Sequence, residues 1–207
     1  MKIVGVGVGP GMLTSEASKV IQHAEIIYGS PRAIKLAQEY ITCEAKNIGD
    51  YSKINELPSN AVVLSTGDPN LSGLGKYAGP DAEIIPGLSS LQVACARLRV
   101  DIADVVVVTA HGRNPTSAVV KFRQAIESGS TVFLLPSPEM GVDMVASTLE
   151  SFGLDVPIAV LEHLGYPDEH VEVGNADKTP LVNSLLYCIM TGPAIRLDFN
   201  LKNKTKI

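Results

Sequence analysis

The sequence predicts an α/β fold of two domains, the first built on a mainly parallel sheet. Short runs rich in β-branched residues, such as Ala61–Ser65 and Val105–Val108, have the composition of strands that are buried on both faces. Segments with apolar residues at helical spacing, such as Ser15–Ala24, alternate with these runs, which is typical of strand–helix–strand units. With 207 residues and 45% hydrophobic content, the chain can bury two small cores. We place the first domain at residues 1–109 and the second at residues 110–207.

The first half alternates strands with helices. Thr14 is positioned to cap the first helix, and Pro31 to open the second. The predicted strands are Lys2–Val8, Glu25–Tyr28, Ile41–Ile48, Ala61–Ser65 and Glu83–Ile85, and the predicted helices are Ser15–Ala24, Pro31–Tyr40 and Leu91–Leu98.

The second half continues the alternation. Ser137 is expected to cap a helix that begins at Pro138, and the lysine-rich tail Lys202–Lys206 is expected to be solvated and frayed. The predicted strands are Asp104–Thr109, Thr131–Leu135, Pro157–Glu162, Val171–Gly174 and Leu186–Thr191, and the predicted helices are Thr116–Ser128 and Pro138–Phe152.

Three loops that follow strands in the first half have the composition of ligand-binding turns. They contain Gly5–Gly11, then Gly67-Asp68-Pro69, and then Pro86–Ser90. Because parallel strands with right-handed crossovers bring such loops to one edge of the sheet, we expect the three to meet there. Glycines let a ligand lie close to the main chain, and Ser89 and Ser90 at a helix N-terminus suit an anionic group. Taken singly, each loop is equally explained as a tight turn or as ordinary N-capping.

A dinucleotide-binding fold is the main rival for this half. The run Gly5-Val6-Gly7-Val8-Gly9 lacks the Gly-x-Gly-x-x-Gly spacing of that fold. The second strand ends in Tyr28-Gly29-Ser30, where a dinucleotide binder would place an acidic residue for the ribose. A non-catalytic nucleotide-binding module therefore remains an alternative with two expected features absent.

Composition excludes several classes of function. A net charge of −5 argues against a nucleic-acid partner, which needs a basic face. The cysteines Cys43, Cys95 and Cys188 are far apart in sequence, which supports neither a disulfide framework nor a zinc knuckle and makes a reducing cytoplasm the expected location. No apolar run approaches the roughly 20 residues that span a bilayer, so no membrane partner is expected.

Four residues in the second half could form a metal site. His163, Asp168, Glu169 and His170 lie close in sequence, but their spacing matches no established ligand pattern. We therefore expect no bound metal.

Several motifs, in this order, resemble the tetrapyrrole (corrin and porphyrin) methyltransferases that use S-adenosylmethionine. They are Val4–Gly11, Gly67-Asp68-Pro69 and Pro86–Ser90. Within the family, His111-Gly112-Arg113 and Gly165–Glu169 resemble the branch that methylates carbon 5 of cobalt-precorrin-7 or precorrin-6Y in cobalamin synthesis. The family often carries aromatic residues after Gly-Asp-Pro, whereas Asn70-Leu71-Ser72 stand here.

The resemblance implies two α/β domains, the second with a mixed sheet, and a cleft between them that holds the methyl donor. Matched by position, the first domain would line S-adenosylmethionine with Val8, Gly9, Pro10, Asp68, Leu71, Ser89 and Ser90. Leu135, Met140 and Leu164 would do so from the second domain, although apolar residues at such places are usually part of a core.

The chemistry that the resemblance implies needs no catalytic side chain, because the sulfonium methyl is already activated and positioning supplies most of the rate. The ring substrate carries many carboxylates, so we expect cationic groups at its site. His111 and Arg113 are the first candidates and Arg32 is the next, each with the alternative of an ordinary surface residue.

Two further expectations concern partners and alternatives. The resemblance implies a homodimer and a separate enzyme for the decarboxylating methylation of carbon 15. Another tetrapyrrole position, or a protein side chain as in diphthamide synthesis, remains an alternative target for the same fold and cofactor.

Overall fold

The computed structural model describes residues 1–112 and 114–196. The predicted site residue Arg113 and the tail Lys202–Lys206 lie outside the described residues. The chain separates into two units, Met1–Ser90 and a second that begins at Leu91. The domain boundary after residue 109 stays a prediction.

The first unit contains one parallel sheet of five strands in the order β3-β2-β4-β1-β5. The strands β1 to β5 are Lys2–Gly5, Ile26–Gly29, Glu44–Asn47, Val62–Ser65 and Glu83–Ile85. The register sets Gly5 beside Ser65 and Val4 beside Ile85, so β4, β1 and β5 end at the same level of the sheet. The predicted parallel first sheet is confirmed, and three glycine-rich loops leave it from neighbouring strands.

Two capped helices connect the first strands. Helix α1 (Ser15–Gln22) begins after Thr14, whose side chain accepts a hydrogen bond from the Ala17 N–H, as the sequence predicts. Helix α2 (Pro31–Ala37) is capped in the same way by Ser30, with Pro31 in its first turn. The predicted strand Ile41–Ile48 is shorter, and a 3₁₀ segment, Tyr51–Glu56, follows it and buries Ile54.

The second unit contains helices α3 to α5 and a mixed five-stranded sheet in the order β6-β7-β10-β8-β9. Strands β6 to β10 are Val105–Thr109, Thr131–Leu135, Ile158–Glu162, His170–Gly174 and Tyr187–Thr191, and helices α3 to α5 are Ser90–Leu98, Pro115–Glu127 and Val142–Ser151. Strand β10 lies antiparallel between β7 and β8, so β6, β7 and β8 run in the same direction. The predicted mixed second sheet is confirmed.

The core of the second unit packs α4 and α5 against this sheet. Phe122 of α4 and Leu149 of α5 are fully buried among the aliphatic side chains of β6, β7, β8 and β10. Helix α5 begins at Val142 after Gly141, so the predicted cap at Ser137 is wrong. Ser137 instead closes a turn in which its carbonyl accepts the Met140 N–H, because Pro138 starts a turn rather than the helix.

Candidate functional site

Three loops meet at the carboxyl edge of the first sheet. We call them the Pro10 loop (residues 6–13), the Asp68 loop (residues 66–73) and the Ser89 loop (residues 86–89). Gly7 and Gly67 form a small antiparallel bridge, in which the Gly67 N–H donates to the Gly7 carbonyl at 2.8 Å and the Gly7 N–H donates back at 3.3 Å. Both glycines have positive φ angles, near +77° and +70°, which other residues rarely adopt. The predicted meeting of the loops is therefore confirmed within this unit.

The backbones of the three loops touch directly. A β-carbon placed on Gly5 would lie 2.5 Å from the Gly87 nitrogen and 2.8 Å from the Gly67 oxygen, both closer than van der Waals contact permits. Glycine is thus required where β1 ends, because main-chain atoms of the other two loops occupy the space of a side chain. At Gly5 the three loops are therefore in direct main-chain contact.

Asp68 holds two of these loops together. Its Oδ2 accepts the N–H of Gly87 at 3.1 Å, and its Oδ1 accepts the N–H of Asn70 at 2.8 Å. Each carboxylate oxygen thus already has a main-chain donor. Asp68 therefore stabilises the loop cluster, and its predicted contact with the methyl donor stays a prediction.

The rest of the Asp68 loop is equally constrained. The Leu71 N–H donates to the Asp68 carbonyl at 3.1 Å, which closes a turn that leaves Leu71 half-buried. The hydroxyl of Ser65, at the end of β4, accepts the Leu74 N–H at 3.3 Å and lies beside Gly73. The loop therefore returns to the strand from which it started.

Arg32 lies beside the Pro10 loop. Its guanidinium donates to the Val8 carbonyl at 2.8 Å, so α2 contacts the loop that carries Val8, Gly9 and Pro10. Val8 and Gly9 are buried, and Pro10 is exposed. This bond uses one of the five N–H donors of Arg32, and its predicted contact with substrate stays a prediction.

Ser89 and Ser90 lie where the Ser89 loop becomes helix α3. Ser90 is the first residue of the helix, and Ser89 before it is buried. N–H groups at a helix start carry partial positive charge, so this end of the loop cluster favours an acceptor or an anionic group.

The site residues predicted in the second half follow strands β6, β7 and β8. His111 is exposed after β6, Leu135 ends β7, and Leu164 is buried just after β8. Met140 is fully buried in the core of the second unit, among side chains of that core. Because β6, β7 and β8 run in the same direction, His111, Leu135 and Leu164 share one edge of the second sheet.

A network beyond β8 was missed by the sequence reading. Arg97 on α3 donates to both carboxylate oxygens of Glu169, at 2.5 Å and 3.1 Å, and one of those oxygens also accepts the Gly165 N–H at 2.7 Å. Glu162, 4% exposed, accepts the N–H groups of Asn183 and Ser184, both at 2.7 Å. The only sign of this network in the sequence is the cluster of charged residues in Glu162–His170. Hydrophobic periodicity does not predict which partners such residues have.

Metal and membrane features are absent from the described part of the chain. No group of three or more His, Cys, Asp or Glu side chains within residues 1–112 and 114–196 has the geometry of a metal site. The same residues include no helix long and apolar enough to cross a bilayer.

Loops that meet at the carboxyl edge of a parallel sheet and present main-chain groups define an α/β protein of the ligand-binding class. The sequence model of one family, the tetrapyrrole (corrin/porphyrin) methylases, matches residues 2–180. The chain belongs to this family.

Several sequence relatives are named for a particular methylation reaction. The chain is 31% identical to a probable cobalt-precorrin-7 C(5)-methyltransferase of Methanocaldococcus jannaschii, over 90% of this chain and 96% of that protein. It is 28% identical to the cobalt-precorrin-7 C(5)-methyltransferase of Salmonella typhimurium, over 83% and 88%. A precorrin-6Y C(5,15)-methyltransferase [decarboxylating] of Sinorhizobium sp is 32% identical over 83% of this chain, but only 44% of that longer protein is covered.

Solved structures agree with the fold. A precorrin-6Y methylase of Archaeoglobus fulgidus superposes with a TM-score of 0.69 at 29% identity, covering 94% of this chain and 97% of that one. A uroporphyrin-III C-methyl transferase of Thermus thermophilus, complexed with S-adenyl homocysteine, has a TM-score of 0.71 at 18% identity, with coverage of 93% and 97%. At that identity the second comparison shows the fold alone.

Proposed function

We propose that this protein transfers a methyl group from S-adenosylmethionine to carbon 5 of a corrin precursor, cobalt-precorrin-7 or precorrin-6Y. The observation that carries the proposal is the 31% identity over 90% of the chain to a relative named for that reaction. A second relative with the same substrate in its name and a solved precorrin-6Y methylase support it.

The methyl donor is proposed to lie against the three loops of the first unit. Val8, Gly9, Pro10, Asp68, Leu71, Ser89 and Ser90 would line it, and Leu135, Met140 and Leu164 would contribute from the second unit. Support comes from the direct contact of the three loop backbones at Gly5, Gly67 and Gly87, and from the start of helix α3 at Ser90, whose N–H groups carry partial positive charge. Of the second group, Met140 has the least support, since its side chain is fully buried in the core.

Methyl transfer needs no reactive side chain from the protein. The bond from sulfur to the methyl carbon breaks as the ring carbon attacks from the opposite side, and the sulfonium loses its positive charge. A rigid loop cluster contributes by holding the donor in one orientation, which reduces the entropy that must be lost on reaching the transition state. Main-chain carbonyls near the sulfonium would favour its charge while it is bound. No side chain is proposed as a nucleophile.

Cations at the second sheet are proposed to bind the acidic ring. His111 is exposed just after β6, in a turn where Gly112 has a φ of +63°. With Arg113, and with Arg32 as a further candidate, it would pair with substrate carboxylates. Replacing Arg113 with Ala should raise the KM for the corrinoid much more than the Kd for the donor. Equal losses of both affinities would refute its assignment to the substrate.

The function is tested by incubating the purified chain with methyl-labelled donor and a series of corrin precursors, and by locating the label in the product by NMR. Label at carbon 5 is the expected result. Label at carbon 11 would instead favour the reaction named for another Methanocaldococcus jannaschii relative, the cobalt-precorrin-4 C(11)-methyltransferase, which is 30% identical. Donor binding without transfer to any precursor would overturn the proposed substrate class, and absence of donor binding would overturn the cofactor.

Two statements about partners belong to the same proposal. The chain is proposed to act as a homodimer. A separate enzyme is proposed to methylate carbon 15, since the Methanocaldococcus jannaschii C(5) relative is matched over nearly its full length, whereas the Sinorhizobium C(5,15) relative is matched over less than half. Sedimentation velocity tests the first statement, and the product of the incubation above, methylated at carbon 5 alone, tests the second.

A further inference from the structure

Asp168, His163 and Ser184 form a continuous chain of hydrogen bonds in the second unit. The Nδ1 atom of His163 lies 2.5 Å from Oδ2 of Asp168, and its Nε2 atom lies 2.6 Å from the hydroxyl oxygen of Ser184. Each ring nitrogen therefore has one side-chain partner, an acid on one side and an alcohol on the other. The proposed methyl transfer uses none of these three residues.

The acid decides which ring nitrogen carries the proton. An ionised carboxylate only accepts hydrogen bonds, so Nδ1 of His163 must be the N–H donor to Asp168. In the neutral imidazole, Nε2 is then left as an acceptor, and the Ser184 hydroxyl donates to it. A carboxylate that orients an imidazole, whose other nitrogen accepts from a hydroxyl, is the arrangement that activates a serine nucleophile.

The main chain around Ser184 fits the same chemistry. Glu162 accepts hydrogen bonds from the Asn183 and Ser184 N–H groups. The Leu186 N–H donates to the Ser184 hydroxyl oxygen at 3.0 Å, which favours negative charge on that oxygen. The Leu185 N–H has no acceptor among residues 1–112 and 114–196. The N–H that follows a nucleophile is one that commonly stabilises the oxyanion of an acyl intermediate.

His163 itself has an uncommon backbone. Its φ of +49° lies in the left-handed region, which few residues other than glycine occupy. Such backbone outliers occur preferentially at functional sites. His163 also opens a turn, in which its carbonyl accepts the Tyr166 N–H at 2.9 Å.

The surroundings indicate which substrates would reach the serine. The side chain of His163 is 31% exposed and Ser184 is half-buried, so solvent has access to the pair. Three aliphatic residues of the same segment, Leu181, Val182 and Leu185, are exposed, and Leu185 is fully so. Apolar side chains beside an accessible hydroxyl favour a ligand with an apolar chain.

We propose that Ser184 is an activated nucleophile that accepts acyl groups from carboxylic esters with an apolar acyl chain. The Ser184 oxygen attacks the ester carbonyl while its proton moves to Nε2 of His163. The carbon–oxygen bond to the alcohol then breaks, and the alcohol leaves with that proton. Water attacks the acyl-serine by the same route, which gives the carboxylic acid and restores the Ser184 hydroxyl. This activity is independent of the methyl transfer.

The test uses the full chain and two probes, an alkyl fluorophosphonate for labelling and p-nitrophenyl butyrate for turnover. Peptide mass spectrometry is expected to place the phosphonate on Ser184, and the wild-type chain is expected to release p-nitrophenol faster than the Ser184→Ala variant does. Asp168→Asn is the decisive further variant, because the Asp168 side chain is 65% exposed and the substitution is therefore expected to leave the fold intact. It is expected to slow labelling by about 100-fold or more, since the amide no longer selects the required tautomer.

Ser147→Ala serves as the matched control, because Ser147 is an exposed serine on α5 whose hydroxyl bonds only to its own helix. Its labelling and turnover should equal those of the wild-type chain. Labelling spread over several serines, or a rate unchanged by Asp168→Asn in a variant with wild-type unfolding behaviour, would overturn the proposal. So would the absence of any phosphonate adduct on Ser184. Failure of methyl transfer alone would not affect it.

Discussion

The side-chain carboxylate of Asp68 and the backbone N–H of Gly87 lie 3.1 Å apart, and this hydrogen bond joins the loop after β4 to the loop after β5. The two loops leave strands on either side of β1. The bond restricts the motion of the two loops relative to each other. A ligand that binds there loses less free energy to loop ordering than one that must assemble its own site.

Replacing Asp68 with Ala is expected to weaken donor binding and to destabilise the first unit. The change leaves the Gly87 and Asn70 N–H groups without their acceptor, and hydrogen bonds to charged groups contribute about 1.5–3 kcal/mol each. We expect the Kd for S-adenosylhomocysteine to rise by about tenfold or more in titration calorimetry. Asp81→Ala, at an exposed position before β5, is the control. Equal affinities of the two variants would contradict the role of Asp68.

Replacing Gly5 with Ala tests the contact between the three loop backbones. The new methyl group would meet main-chain atoms of Gly87 and Gly67, which cannot rotate away as a flexible side chain can. We expect a loss of about 1–3 kcal/mol in the free energy of unfolding, measured in urea. Gly49→Ala is the control, because no heavy atom lies within 4 Å of its added carbon. Similar midpoints for both variants would show that the loops separate easily.

Glu162→Ala is expected to loosen the segment before β10. The buried carboxylate accepts two main-chain N–H groups, and hydrogen bonds to charged groups contribute about 1.5–3 kcal/mol each. Hydrogen exchange should therefore accelerate at the Asn183 and Ser184 amides, and the unfolding midpoint should fall. Glu150→Ala, at the exposed end of α5, should change neither quantity. Unchanged exchange at both amides would contradict the expectation.

A double-mutant cycle on Arg97 and Glu169 should give a large coupling energy. The two side chains are only 26% and 13% exposed and are joined by two hydrogen bonds, so we expect about 1–3 kcal/mol. The ion pair of Lys2 and Glu83 is the reference, since its side chains are 43% and 54% exposed and such pairs contribute roughly 0–1 kcal/mol. A coupling for Arg97 and Glu169 no larger than that of the reference pair would be the contrary result.

The three free thiols should differ in reactivity. Burial raises the pKa of all three thiols, but Cys95 and Cys188 are buried, whereas Cys43 is only half-buried and is the most accessible to a reagent. Because the thiolate is the reactive species, iodoacetamide should modify Cys43 first, as followed by mass spectrometry. Modification of Cys188 in the native protein at the rate of Cys43 would refute this order.

The same pKa shift predicts a dependence of stability on pH. In the unfolded chain Cys188 ionises near pH 8.5, whereas in the folded chain its thiol keeps its proton to higher pH. The unfolded state therefore binds fewer protons above about pH 8.5, and the free energy of unfolding falls as pH rises. Cys188→Ala should show a shallower decline between about pH 8 and 10 in urea titrations. An identical slope for both proteins would contradict the shift.

Local sequence patterns predicted much of the first sheet and the meeting of its loops. Strand Glu83–Ile85 is confirmed as predicted, and Thr14 caps α1, because β-branched runs and caps act over a few residues. The order of the strands in the second sheet was not predictable in this way. Strand β10 inserts between β7 and β8, which are separated from it by long stretches of chain, and no local signal specifies such pairing.

The side-chain networks show the same limit. The sequence places Asp68 at a strand end, but its bond to Gly87 joins residues 19 positions apart. The pairing of Arg97 with Glu169 spans 72 positions and depends on how α3 packs in the second unit. The predicted cap at Ser137 failed because the chain forms a turn at Pro138 before α5 begins. Pairing over such distances follows from tertiary packing rather than from local propensity.

The position of β1 between β4 and β5 has a consequence for synthesis on the ribosome. Its first strand neighbour along the chain is Val62–Ser65, so Lys2–Gly5 emerges long before any strand that can pair with it has been made. At translation rates of about 5–20 residues per second, this apolar segment waits roughly 3–12 s for a partner. Chaperones that shield nascent chains therefore have a long opportunity to bind Lys2–Gly5.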